Sequence, residues 1–298
     1  MPLRIAFIGC VASSRVALQT LLSLPASMCV VVGIVTMRSN RINSDHVDLS
    51  DLAGSGMPLM FVEDAVGDVA QANWLRAHEP DLIFCVGWSR LLGESVLRVA
   101  PRGVVGFHPA ALPANRGRHP LVWALVLGLN QTASTFFLMD SGADSGPLLS
   151  QLPVGIDFED DAASLYAKVL ELLPLQVQTI VRGLDDGSLM PQPQDVTCAT
   201  YWRKRSVDDG RIDWRMESSA IRNLVRGLSR PYTGAHFKYQ GREVKVWRCS
   251  ELAEAPPNAE PGKVLLVEGR CITVRSGRGA VCLIDHELDT IPAEGDYL

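Results

Sequence analysis

The chain has 298 residues, 47% of them hydrophobic, with a formal net charge of −5 and a pI near 5.7. That length suits two domains rather than one, and the hydrophobic share supplies a sizeable core. An acidic balance lacks the basic footprint of a nucleic-acid binder, so nucleic acid is set aside as a partner unless a local patch hides in the total.

The seven cysteines are scattered and form no CxxC pair, so neither a zinc site nor a disulfide framework is expected. Met1 leads directly into the strand-like RIAFIG with no signal peptide, and the apolar run Met28 to Val35 is far shorter than a membrane span. The expected location is cytoplasmic, away from membranes.

In chain order, Arg4 to Gly9 reads as a buried strand, followed by a turn and a helix bearing Val16, Leu18, Leu21 and Leu22, then a second strand, Val30 to Thr36. The turn after Gly9 lacks the glycines of a dinucleotide fingerprint, which leaves Gly9 as a tight-turn residue or a phosphate approach point. The stretch 37–56 is polar and turn-rich. Pro58 to Val62 and Asp81 to Val86 read as strands around a helix, Asp68 to His78, and a short helix follows Gly93. This rhythm predicts a doubly wound, mostly parallel α/β sheet, with a first domain over 1–190.

Val104 and Val105 begin a strand that ends at His108, beside Pro109. A Pro-, Gly- and Arg-rich turn, an apolar helix and a strand to Met139 lead to a loop carrying Asp140 and Asp144. A His held by a carboxylate suits general acid/base work near neutral pH. A core His and a turn-capping Asp are the plainer alternative. Beyond it, Asp160 to Arg182 predicts a long helix bent or interrupted at Pro174, with acidic residues at its start. Residues 191–205 read as a linker. A helix to Gly227 and short strands with Gly turns then predict a small β-barrel-like domain over 206–298.

The ordered set His108, Leu112-Pro113, Arg116-Gly117, Pro120, Ser134-Thr135 and Asp144-Ser145-Gly146 resembles the folate-dependent formyltransferases. That group includes the methionyl-tRNA and nucleotide-sugar formyltransferases. Gly210 to Trp214, Arg230 to Ala235 and Val244 to Trp247 extend the resemblance through the C-terminal region. The resemblance implies 10-formyltetrahydrofolate as formyl donor, no metal, and attack of a substrate amine on the formyl carbon. His108 would stabilise the oxyanion or move a proton, and Asp144 would hold and tune it. The family places an Asn two residues before the His; Gly106 stands there instead. Backbone or water, Asn115 or His119 would then supply the missing donor, or activity would be weak or absent. By the same resemblance the folate would lie along Arg90, Leu91 and Leu92, with Arg118 and the loop Asp140, Ser141, Gly142 and Ala143 completing its site. Trp88 would stack on a flat ligand or fill the core.

The tRNA branch of the family grips its acceptor stem with a basic insertion. Here the stretch 37–56 sets Arg38 and Arg41 against Asp45, Asp48 and Asp51. The expected acceptor is therefore the amine of a nucleotide-linked amino sugar. Methionyl-tRNA and an amino-acid amine such as hydroxyornithine are the alternatives, and a folate-binding relative without turnover is the non-enzymatic one. A homodimer through the C-terminal region is also expected.

Overall fold

The computed structural model describes residues 1–38, 45–62 and 67–298. Arg41 lies outside the described residues. The chain divides into two compact units. The first comprises Met1–Gly117, Ala133–Val154 and Ala167–Trp202; the second comprises Arg118–Thr132, Gly155–Tyr166 and Arg203–Leu298. The segment 191–205 thus divides at Trp202, and its first part is built into the first unit.

The first unit runs β1 (Leu3–Ile8), α1 (Ala12–Ser23), β2 (Cys29–Thr36), β3 (Leu59–Phe61), α2 (Asp68–Ala77), β4 (Leu82–Cys85), α3 (Glu94–Leu97), β5 (Val104–His108) and β6 (Arg116–Gly117). After α4 (Pro120–Val126), which belongs to the second unit, come β7 (Gln131–Leu138), β8 (Leu148–Gly155), α5 (Ala162–Asp185) and β9 (Tyr201–Trp202). Seven strands form one sheet in the order β3-β2-β1-β4-β5-β7-β8. The pairs from β3 to β5 are parallel, which is the doubly wound arrangement expected from the alternating strands and helices. Ile5, Phe7, Ile34 and Phe84 are fully buried, as the continuous apolar runs of a sheet covered on both faces require.

α5 continues as one helix through Pro174, where the sequence predicts a bend or an interruption. Val169, Leu173, Val177 and Ile180 fall on one helix face and are fully buried. Each such side chain contributes about 1.5–3 kcal/mol by leaving water, which offsets the hydrogen bond lost at Pro174. Gly9 serves close packing: a Cβ there would press on Ser14 Oγ and Val86 O. Ser14 Oγ accepts from the Cys10 and Val11 N–H groups and donates to Val86 O, tying the β1 turn to the end of β4.

The second unit adds α6 (Ser218–Gly227), β10 (Ala235–Tyr239), β11 (Arg242–Leu252), β12 (Val264–Glu268), β13 (Cys271–Arg275) and β14 (Ala280–His286). These strands form an antiparallel sheet in the order β10-β11-β14-β13-β12. Gln240 and Gly241, at φ +49° and +79°, make the two-residue hairpin between β10 and β11. In the pairing of this sheet β10 and β12 are the edge strands. Ile221, Leu224 and Val225 of α6 and Val122 of α4 share its core with Phe237, Val246, Ile272 and Leu283. No helix among the described residues is long and apolar enough to cross a membrane.

Candidate active site

β7 runs antiparallel to β5, pairing Leu138 with Val105 and Thr135 with His108. The end of β7 therefore lies beside the start of β5, and loop 140–146 folds back to bring Asp144 to His108. The His108 ring is 5% exposed. Its Nε2 lies 2.9 Å from the Asn115 carbonyl, and its Nδ1 lies 3.6 Å from Asp144 Oδ2. A carbonyl only accepts, so Nε2 carries the proton of the neutral ring and the lone pair sits on Nδ1. The ring thus presents Nδ1 toward Asp144 as the position that can take a proton.

The turn after His108 is held from the sheet. Thr135 Oγ1 donates to Ala110 O, and Gln151 Nε2 donates to Leu112 O and Thr135 Oγ1. Leu112–Pro113 is cis. Asp144 is left-handed, at φ +53°, and its Oδ2 accepts from the Gly117 N–H at 2.8 Å. Gln194 Nε2 donates to the carbonyls of Asp144 and Gly146, and its Oε1 accepts from Arg116. Arg116 is 2% exposed and also donates to Tyr201 Oη. β6 pairs with β9, and Thr200 O accepts from the Arg116 N–H. Gln151, Gln194, Thr200 and Tyr201 escape a reading of the sequence because each meets the site across a long stretch of chain and follows no periodic pattern.

Gly106 lies inside the sheet between Cys85 and Phe137. A Cβ on it would sit 2.7 Å from Met139 Cγ and 3.0 Å from Phe137 Cζ. Side chains of the neighbouring strand and loop therefore fill the space an Asn at 106 would need. Asn115 is left-handed, at φ +65°; its N–H donates to Thr200 Oγ1, and its carbonyl faces His108. His119 and Arg118 belong to the second unit. His119 Nε2 is buried without a hydrogen-bond partner among the described residues, and burial, then Arg118, Arg205 and Lys204, push its pKa below the usual imidazole value.

The loop after β4 leaves the sheet beside the end of β5. Trp88, Arg90 and Leu91 from this loop line a small pocket with Val62, Asp68 and Gln71. Gln71 Nε2 and Arg90 Nη1 are buried there without a hydrogen-bond partner among the described residues. Leu91 is 79% exposed, which fits ligand contact rather than core packing, whereas Leu92 is buried with Ile83 and Val96. Asp140 Oδ1 accepts from the Gly142 N–H and Ser145 Oγ, giving the loop its own turn, with Ser141, Gly142 and Ala143 exposed on it. Among the described residues no group of three or more His, Cys, Asp or Glu is placed to hold a metal ion.

Comparison with known proteins identifies the family. The Formyl transferase family matches residues 32–189, and its C-terminal domain family matches residues 204–293. The methionyl-tRNA formyltransferase of Anaeromyxobacter dehalogenans is 31% identical over 296 residues, covering 98% of this chain and 94% of that protein. HypX from Aquifex aeolicus, solved with tetrahydrofolic acid, superposes with a TM-score of 0.65 at 20% identity over 95% of this chain. This chain spans 44% of HypX. The N-formyltransferase of Helicobacter canadensis, solved with folinic acid and dTDP-3-aminofucose, gives a TM-score of 0.71 at 13% identity, covering 94% of this chain and 98% of that one. Those two likenesses concern the fold; the family matches and the relative aligned almost end to end establish that this chain belongs to the formyltransferase family.

Proposed function

We propose that the protein transfers a formyl group from 10-formyltetrahydrofolate to the amine of methionyl-tRNA, with His108 and Asp144 handling the proton. The observation that carries the chemistry is the His108 ring, protonated at Nε2 by its bond to Asn115 and open at Nδ1 toward Asp144. Bound folate supplies an activated formyl group. An amine arrives largely as ammonium near neutral pH and must shed a proton to attack. His108 Nδ1 takes that proton, Asp144 stabilises the imidazolium, and the proton passes to the departing folate nitrogen as its bond to the formyl carbon breaks, releasing tetrahydrofolate. Gly106 has no side-chain donor to offer and both ring N–H groups of protonated His108 face other acceptors, so charge growing on the formyl oxygen falls to the amide side chain of Asn115. Gln71 Nε2 and Arg90 Nη1 are buried donors in want of acceptors, and Trp88 offers a flat face beside them. A folate, with its flat ring system, carbonyls and carboxylates, fits that set.

The acceptor follows from where the charge lies. Residues 203–248 contain twelve Lys and Arg against five Asp and Glu, in a chain whose net charge is −5. Total composition conceals this basic stretch. Arg203 pairs with Asp209 and Arg215 with Asp213, whereas Lys204, Arg211, Lys238 and Arg248 are exposed. Arg203 and Arg205 also lie over the Trp123 ring. Accumulated cations suit a phosphate backbone, and the relative aligned over 98% of the chain carries the methionyl-tRNA name. A nucleotide-linked amino sugar is the second reading. The segment after β2 favours it, because Asp45, Asp48 and Asp51 outnumber Arg38 there and Asp51 occupies Arg15. Competition between methionyl-tRNA and a panel of nucleotide amino sugars, with products read by mass, separates the two. Formylated sugar without formylated tRNA would overturn the tRNA reading.

A further inference from the structure

We infer that Gln194 is a positioning residue for Asp144, acting from a segment that the sequence presents as a linker. The inference rests on the reading of His108 and Asp144 as the proton-handling pair. Asp144 is gripped twice: Gly117 N–H holds the carboxylate, and Gln194 holds the main chain. The side-chain amide has one orientation that works. Arg116 only donates, at 2.6 Å from Nη2 and 3.2 Å from Nε, so the Gln194 oxygen must face it. The carbonyls of Asp144 and Gly146 only accept, at 2.9 and 2.7 Å, so the nitrogen must face them. Four contacts use that amide almost fully.

Asp144 needs such a hold because a left-handed non-glycine residue is strained and relaxes if released. Gly146 is fixed for a separate reason, since a Cβ there would collide with the Leu138 carbonyl. Arg116 in turn is steadied by Tyr201 Oη and by the pairing of β6 with β9. The chain of contacts therefore runs from Tyr201 through Arg116 and Gln194 to the carboxylate 3.6 Å from His108.

Gln194→Glu is the informative variant. It keeps and strengthens the contact with Arg116 but turns a second oxygen on two carbonyls, so it unseats the loop while leaving the buried cation partnered. Gln194→Leu is the companion, removing both contacts at similar size. Two readouts apply. The first is the imidazole titration of His108 by NMR in the free protein, which needs no substrate. In Gln194→Glu it is expected to move from the native curve toward that of Asp144→Asn. The second is steady-state formyl transfer, where kcat is expected to fall about 10²-fold while KM for the formyl donor changes far less. A native titration curve with native kcat in both variants would overturn the inference, as would a change confined to KM. If Asp144→Asn itself titrates like the native protein, the underlying pairing of His108 with Asp144 has failed instead.

Discussion

His108 lies between one fixed acceptor, the Asn115 carbonyl, and one charged acceptor, Asp144. Asp144→Asn separates charge from shape, because an amide oxygen still accepts from Gly117 N–H while the negative charge is lost. We expect stability to change by about 1 kcal/mol or less and kcat to fall about 10²- to 10⁴-fold, measured by urea unfolding and formyl transfer. Gly106 makes the opposite test. Gly106→Asn places atoms where Met139 and Phe137 already sit, so it should cost about 1–3 kcal/mol from overpacking. Met139→Ala should recover much of that cost in the double variant. A double-mutant cycle with no coupling between the two positions would show that Met139 does not occupy the space.

At the level of elements, the buried runs of β1, β2, β4 and β5 were legible because each is apolar, short and bounded by turn residues. His108 and Asp144 stood out through the family resemblance, since a strand-end His and a loop Asp taken alone read equally as a core His and a turn-capping Asp. The antiparallel entry of β7 was not, since strand direction depends on how the chain returns to the sheet rather than on the strand's own residues. The segment 192–202 was equally opaque: it is polar and aperiodic, and its contacts with Arg116 and Asp144 reach across 78 and 50 residues. Gly117 reports on that segment. It sits at φ +108°, and a Cβ would collide with the Trp202 carbonyl. Gly117→Ala should destabilise by more than about 1 kcal/mol and should also lower kcat by displacing the N–H from Asp144. A variant with native melting temperature and native kcat would mean that β9 does not press on β6.

Across the whole molecule, charge is distributed against its total, with a basic stretch over 203–248 inside an acidic chain. tRNA affinity is accordingly expected to fall steeply as salt rises. Acid sensitivity has an identifiable source in the second unit. Burial, chiefly, lowers the pKa of His236, with Glu243 opposing, and also lowers that of His119. The unfolded chain then binds more protons than the folded one below about pH 6.5. Stability from these groups is complete above that value and is lost as pH falls toward their lower folded-state pKa values. Hydrogen exchange in β10 and β11 should quicken from pH 7.5 to 5.5, after correction for intrinsic rates, and less so in His236→Gln. An unchanged pH response in that variant would assign the sensitivity elsewhere.

The most direct test is formyl transfer by the native protein and by His108→Ala, with 10-formyltetrahydrofolate as donor and methionyl-tRNA and nucleotide amino sugars as acceptors. The native protein is expected to yield formyl-methionyl-tRNA, and the variant to slow the reaction about 10²-fold or more while remaining folded. Formylation of no amine by the native protein, or equal rates for the two proteins, would contradict the account.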